Sequence, residues 1–217
     1  MVADIAHELR TPLTVLQGNV EAMQDGLMPP DSAHLASLHQ ETLLLSRLVD
    51  DLRTLSLVEA GQLEFRPKSV NLKALSSQVM GSFAALLSAK HMDADLTGPD
   101  NLPEVKVDAE RTAQVLRNLI SNAIHYTPEG GKIAVRLTGD THGVTVSVID
   151  TGIGISPEDL PRVFDRFYRV DRSRTRSSGG SGLGLAIVKQ LIEAQQGRVW
   201  AESAPGKGST FLFQLPY

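Results

Sequence analysis

The sequence predicts an α+β protein in two parts: an N-terminal helical hairpin that pairs into a dimeric four-helix bundle, then a two-layer α/β sandwich. Three observations carry this expectation. Residues 1–60 hold two long runs with apolar stripes at three-and-four spacing and no strand pattern. After Gly61, short β-branched runs alternate with further helical patterns up to residue 217. Charge divides at the same place, with three Lys/Arg against nine Asp/Glu in residues 1–60 (a balance of −6) and 18 against 16 in the remainder (+2). The expected domains are therefore 1–61 and 62–217.

The first helix is expected over Val2 to Gln24. Set at about 100° per residue, Ile5, Leu9, Leu16, Val20 and Met23 fall within about 60° of one another. His7 then points roughly 160° from the middle of that stripe, with Glu8 beside it and Thr11 one turn below. Pro12 removes a helical hydrogen bond to the carbonyl of Glu8 and loosens the rod there. A solvated surface histidine explains this equally well in isolation, and H-E-x-x-H zinc binding fails because Thr11 stands where a second His is needed. Asp25-Gly26-Leu27-Met28-Pro29-Pro30 stops the helix.

Asp31 or Ser32 caps a second helix whose stripe runs Leu35, Leu38, Leu45, Val49, Leu52, widened by Leu44, Leu48 and Leu55. Each stripe exceeds what one partner helix covers, so two hairpins closing a homodimeric bundle is the simple solution. A monomeric hairpin packed on the downstream domain is the alternative. Gly61 is the expected hinge.

Beyond it, Gln62–Pro67 reads as a short strand, Asn71 to His91 as one helix and Val105–Val107 as a brief strand. Asp108 caps a helix from Ala109 to His125. That helix places Asn118 and Asn122 on one face, either as a polar surface or as oxygen donors toward a magnesium–phosphate group. Strands follow at Lys132–Thr138 and Val144–Ile149, the second ending in Asp150-Thr151-Gly152-Ile153-Gly154. A carboxylate beside bare backbone suits an adenine amine, although D-x-G-x-G alone is more often a turn. Arg166, Arg169, Arg172, Arg174 and Arg176 then form a basic run, a solvated loop or a lid over phosphates. Gly180-Ser181-Gly182-Leu183-Gly184-Leu185 opens a helix whose N-terminus suits an anion. Arg198–Glu202 and Ser209–Leu215 complete an antiparallel sheet with helices on one face.

Composition narrows the classes. The chain has 217 residues, 41% of them apolar, and no cysteine, so disulfides and thiolate metal sites are excluded. No apolar run approaches the roughly 18 residues of a membrane span, and no signal peptide opens the chain. An acidic hairpin joined to a mildly basic domain gives no support for nucleic-acid binding.

Six stretches in order resemble the catalytic core of membrane-linked sensor histidine kinases: 6–14 (AHELRTPLT), 118–128 (NLISNAIHYTP), 150–154 (DTGIG), 163–169 (VFDRFYR), 180–185 (GSGLGL) and 206–211 (GKGSTF). The resemblance covers essentially the whole chain. It implies a dimerisation and phosphotransfer hairpin followed by an ATP-binding domain of the chaperone, topoisomerase and histidine-kinase ATPase type. His7 would accept a phosphoryl group from ATP, with Glu8 as its general base, and pass it to an aspartate of a response regulator. Thr11 would orient water for dephosphorylating that regulator. Asn122 would hold Mg²⁺, with Asn118 near the phosphates; Asp150 would bind adenine beside Gly152 and Gly154, and Thr210 would support that end. Tyr126 would pack on the nucleotide, while Gly180, Gly182, Leu183 and Gly184 would line the phosphate side with lid residues Arg166 and Arg169. His125 departs from the family's Lys or Arg, and Ser181 from a common Thr. The resemblance also implies a fragment, cytoplasmic itself, whose upstream sensor and spans would anchor the whole protein in a bacterial plasma membrane. A chaperone-type ATPase, an anti-sigma serine kinase and a degenerate scaffold kinase are the alternatives.

Overall fold

The structure is a computed structural model that describes residues 2–169 and 181–217, with the side chains of residues 1–5, 7 and 8 outside the description. Helix α1 spans Val2–Gln24 and α2 Ser32–Glu59. Pro12 lies inside α1 and is buried, and two residues on Thr14 Oγ1 donates to the Arg10 carbonyl at 2.9 Å. Asp31 caps α2, its Oδ1 accepting from the backbone N–H groups of Ala33 (3.0 Å) and His34 (2.9 Å). Gly61 (φ 65°) ends α2 in a left-handed turn, with Gln62 N–H donating to the Leu57 carbonyl at 2.8 Å, the closure that glycine alone adopts without strain.

Residues 62–67 form no strand, contrary to the sequence expectation. Arg66 N–H donates to the Asp108 side chain at 2.9 Å instead of to a ladder, and Pro67 has no N–H to give. Pairing starts only at β1 (Lys68–Val70), antiparallel to β3 (Val105–Val107). The single helix expected over 71–91 is two: α3 (Leu72–Gly81) and α4 (Ala84–Ala89). Between them Ser82 closes back on Val79 through both N–H (3.1 Å) and Oγ (2.6 Å), a local bond that competes with continuation of the helix.

A strand that the sequence did not advertise, β2 (Asp93–Thr97), lies parallel to β4 (Lys132–Gly139) at the sheet edge. Its two aspartates are poor strand formers, and pairing with β4 overrides that preference. The sheet order is β2-β4-β5-β7-β6, with β5 Val144–Asp150, β6 Arg198–Ser203 and β7 Ser209–Leu215. It is therefore mixed; every pair but β2–β4 is antiparallel.

Helices α5 (Ala109–Tyr126) and α6 (Gly184–Glu193) cover one face of this sheet. Strand β5 alternates strictly, sending Val144, Val146, Val148 and Asp150 into the helical layer. Leu116, Leu119, Ile120, Ile187, Leu191 and Phe213 fill the space between, each essentially inaccessible and contributing about 1.5–3 kcal/mol. The hairpin does not stand apart. Leu48 and Leu55 of α2 are buried in the same core, where α2 packs on α6. Leu13, Val20, Leu35 and Val49 remain exposed on the hairpin.

Candidate functional site

One end of the candidate site is built where β5 stops. Asp150 is 5% exposed, and its Oδ1 accepts from the backbone N–H groups of Gly152 (2.8 Å) and Ser209 (3.2 Å). Burial raises its pKa above the usual carboxylate value, partly offset by those two donors. Oδ2 makes no hydrogen bond to the described residues and is available as an acceptor. Gly152 lies so close to the Tyr126 carbonyl and Asp150 Oδ1 that a Cβ would collide with both. Gly154 (φ +70°) is pressed against the Ala204 carbonyl. The glycine turn is tied to α5 by Ile153 N–H to the Tyr126 carbonyl (3.2 Å), and to the last loop by Gly206 N–H to the Ile153 carbonyl (2.8 Å).

The second end is a cavity of about 200 Å³. One wall is the α5 face bearing Asn118, Ser121, Asn122 and Tyr126, spaced as a helix requires. A second is the start of α6 with Gly182 and Gly184, joined by Tyr168 and Arg169. Asn118 Nδ2 donates to the Gly184 carbonyl at 3.2 Å, which pins α6 against α5 and directs the asparagine oxygen elsewhere. The third wall comes from α2: Leu44, Arg47, Leu48 and Asp51.

Several expected residues lie elsewhere. Thr210 pairs with Ile149, whereas Ser209 pairs with Asp150. Opposed residues share a face, so Ser209 stands beside the carboxylate and Thr210 points to the other side of the sheet. Arg166 is paired with Glu59 at the foot of α2 and does not line the cavity, unlike Arg169. Leu183 is fully buried, a core anchor. His125 lies outside the cavity wall, edge-on to Tyr126 at 4.6 Å. Burial lowers its pKa, helped by Lys90 and Arg169, so its imidazole is neutral at neutral pH. His7 and Glu8 lie on α1, their side chains outside the description, and Thr11 is exposed on the same helix. Gly180 lies outside the described residues. Sequence reasoning missed Ser209, Lys90 and the whole α2 wall. Register would have exposed the first, but nothing in the sequence states which domain face α2 meets.

Among the described residues no cluster of three or more His, Cys, Asp or Glu could hold a metal. The donors offered are amide oxygens, which fit a hard cation that keeps most of its shell from phosphate and water.

Residues 107–217 match the model of the histidine kinase-, DNA gyrase B- and HSP90-like ATPase family, and residues 1–61 that of the His Kinase A (phospho-acceptor) domain. The histidine kinase AdeS of Acinetobacter baumannii superposes with a TM-score of 0.81 at 34% identity, over 97% of both chains. The chain belongs to the histidine kinase family. Sensor histidine kinase WalK of Bacillus subtilis is 40% identical over all of this kinase chain, which spans 36% of that relative's length. For BaeS of Escherichia coli, a signal transduction histidine-protein kinase, the figures are 38%, 99% and 46%. The histidine kinase ThkA, solved in complex with the response regulator TrrA, aligns over 100% of this chain and 60% of its own at TM-score 0.80 and 28% identity. The ATPase half of this kinase is an ATP-binding domain. No helix among its described residues is long and apolar enough to cross a membrane.

Proposed function

We propose that this chain transfers the γ-phosphoryl group of ATP to His7 and from there to an aspartate of a response regulator, with Thr11 serving a separate step in which water removes that group from the regulator as inorganic phosphate. The observation that carries this reading is the cavity shared by Asn118, Asn122, Arg169 and Gly182 with a wall of the histidine-bearing hairpin. A phosphate-side pocket that opens on the hairpin is what direct transfer to it requires.

The residues divide the work. Oδ2 of Asp150 accepts the adenine amine, while Gly152 and Gly154 admit the ring and Tyr126 packs beside it. Asn122 offers its amide oxygen to Mg²⁺, which neutralises phosphate charge when bound. Arg169 faces the phosphates from the lid side. A ring nitrogen of His7 attacks the γ-phosphorus in line, and the bond to the β-bridging oxygen breaks to leave ADP. Glu8 accepts from the other ring nitrogen, fixing the tautomer and raising basicity. The acceptor aspartate of the regulator then takes the phosphoryl group from the imidazole.

A homodimer through the hairpin fits the apolar residues that remain exposed on α1 and α2. Domain limits at 1–61 and 62–217 place the α2 cap at the junction. A membrane anchor would lie in parts of a longer protein beyond this sequence. A chaperone-type ATPase or serine kinase would have no use for a histidine-bearing hairpin.

Two substitutions test the pocket. Asp150→Asn places an amide donor against the adenine amine and lowers ATP affinity by tenfold or more. Asn122→Ala retains adenine contacts but removes a metal ligand, so nucleotide binding persists while self-labelling falls by about a hundredfold or more. Parental ATP binding in both variants, with parental labelling, would place the site elsewhere.

A further inference from the structure

The α2 wall carries an inference of its own, resting on the reading of this cavity as the phosphate end of a nucleotide site. Leu44, Arg47, Leu48 and Asp51 stand at i, i+3, i+4 and i+7, so a single helical face closes the cavity. Neither Asp150 nor Gly152 lines it, which places α2 at the end farthest from the base. A nucleotide anchored at Asp150 and running past Asn122 therefore presents its outermost phosphate to this face.

The hairpin supports the same placement. Counting equal rises from the α1–α2 turn brings His7 level with roughly residue 49 of α2, between Arg47 and Asp51. The helical level that receives a phosphoryl group is thus the level of the wall.

Charge singles out one residue. The hairpin has only Arg10, Arg47 and Arg53 as basic residues against nine acidic ones, and Arg47 falls on the docked face. Among the described residues the arginines lining the cavity are Arg47 and Arg169, one from each half of the chain. Among the described residues the sole hydrogen bond of Arg47 runs from Nε to the Leu43 carbonyl at 3.2 Å. That bond fixes the stem; the guanidinium also lies within electrostatic reach of Asp51 one turn on, but its two terminal nitrogens hydrogen-bond no described residue, so a bidentate anion contact is open to them. Leu48, 3% exposed, flanks it and lowers the local dielectric, which strengthens such a contact.

We infer that Arg47 is a phosphate-binding residue contributed by the hairpin, one that contacts the terminal phosphate of a nucleoside triphosphate and makes the docked site prefer triphosphate over diphosphate. ADP ends one phosphate short of this wall and gains nothing from it.

Displacement of a fluorescent nucleotide by ATP and by ADP, at fixed Mg²⁺ on the 217-residue chain, separates the possibilities. Arg47→Gln is expected to weaken ATP about tenfold while ADP changes by less than about twofold, and Arg47→Lys to retain part of the ATP preference. Unchanged ADP binding also reports that the variant is folded. If the parent binds both nucleotides and Arg47→Gln leaves ATP untouched, or weakens ATP and ADP equally, the role of Arg47 is overturned and the nucleotide site stands. If the parent binds neither, the nucleotide reading itself fails and this inference with it.

Discussion

In the proposed site, Asp150 would meet a ligand with its carboxylate already held in place. Two backbone donors hold one carboxylate oxygen, and burial keeps the other out of bulk water. Ser209 supplies one of those donors from the neighbouring strand, and its Oγ lies 2.9 Å from Ser203 Oγ on the Asp150 face. With Ser209 and not Thr210 on the Asp150 face, the hydroxyl that could reach the adenine is that of Ser209: Ser209→Val should weaken ATP by about tenfold, whereas Thr210→Val should leave affinity within about twofold, in the same displacement assay. The reverse ranking would return the adenine contact to Thr210. The motif GKGSTF was legible in the sequence, but which of its two hydroxyl residues faces Asp150 was not. A one-residue difference in register moves a side chain to the opposite face, and only the β5–β7 pairing fixes it. Leu183 carries a similar lesson. It sits within a glycine box, yet its side chain is core, so Leu183→Ala should cost roughly 2–5 kcal/mol of stability, read as a lowered melting temperature.

At the scale of elements, the long amphipathic helices were legible because their periodicity is self-contained. Helix α5 and its Asp108 cap follow directly from local pattern. Strand β2, the break between α3 and α4 and the unpaired 62–67 stretch were not, since each is decided by a partner distant in sequence or by a single serine. Helix α2 carries a buried consequence of its docking. Asp51 lies in the wall that α2 presents to the other half, where burial, reinforced by Asp50 and opposed by Arg47, pushes its carboxyl up to about 6. The folded form then binds more protons than the unfolded one between about pH 4 and pH 6, so stability falls as pH rises through that window and levels off above it. Asp51→Asn removes the dependence. Thermal melts should show the variant gaining a few degrees over the parent at about pH 7.5 and little or nothing at about pH 4. An equal gain at both values would assign the effect to something other than ionisation.

Across the whole molecule, the hairpin has two apolar faces with different fates. Leu48 and Leu55 are buried against α6, while Val20, Leu35 and Val49 face outward at 41%, 52% and 55% exposure. From the sequence, a dimeric bundle and a monomeric hairpin packed on the downstream domain are alternatives. The geometry gives one face to docking and leaves the other exposed, a face that the proposed second copy would cover. Sedimentation across a concentration series should show a dimer at tens of micromolar that loosens on dilution, and Leu35→Glu together with Val49→Glu should abolish it. A chain that stays monomeric throughout, yet still labels itself, would separate transfer from assembly.

The pocket on the ATP-binding half is proposed to serve the histidine on the hairpin. This is tested most directly by incubating the chain with Mg²⁺ and γ-labelled ATP and mapping the labelled residue. An acid-labile, base-stable phosphate on His7 is expected, lost in His7→Gln while that variant binds ATP like the parent. Label on a serine or threonine, or label that survives in His7→Gln, would contradict it.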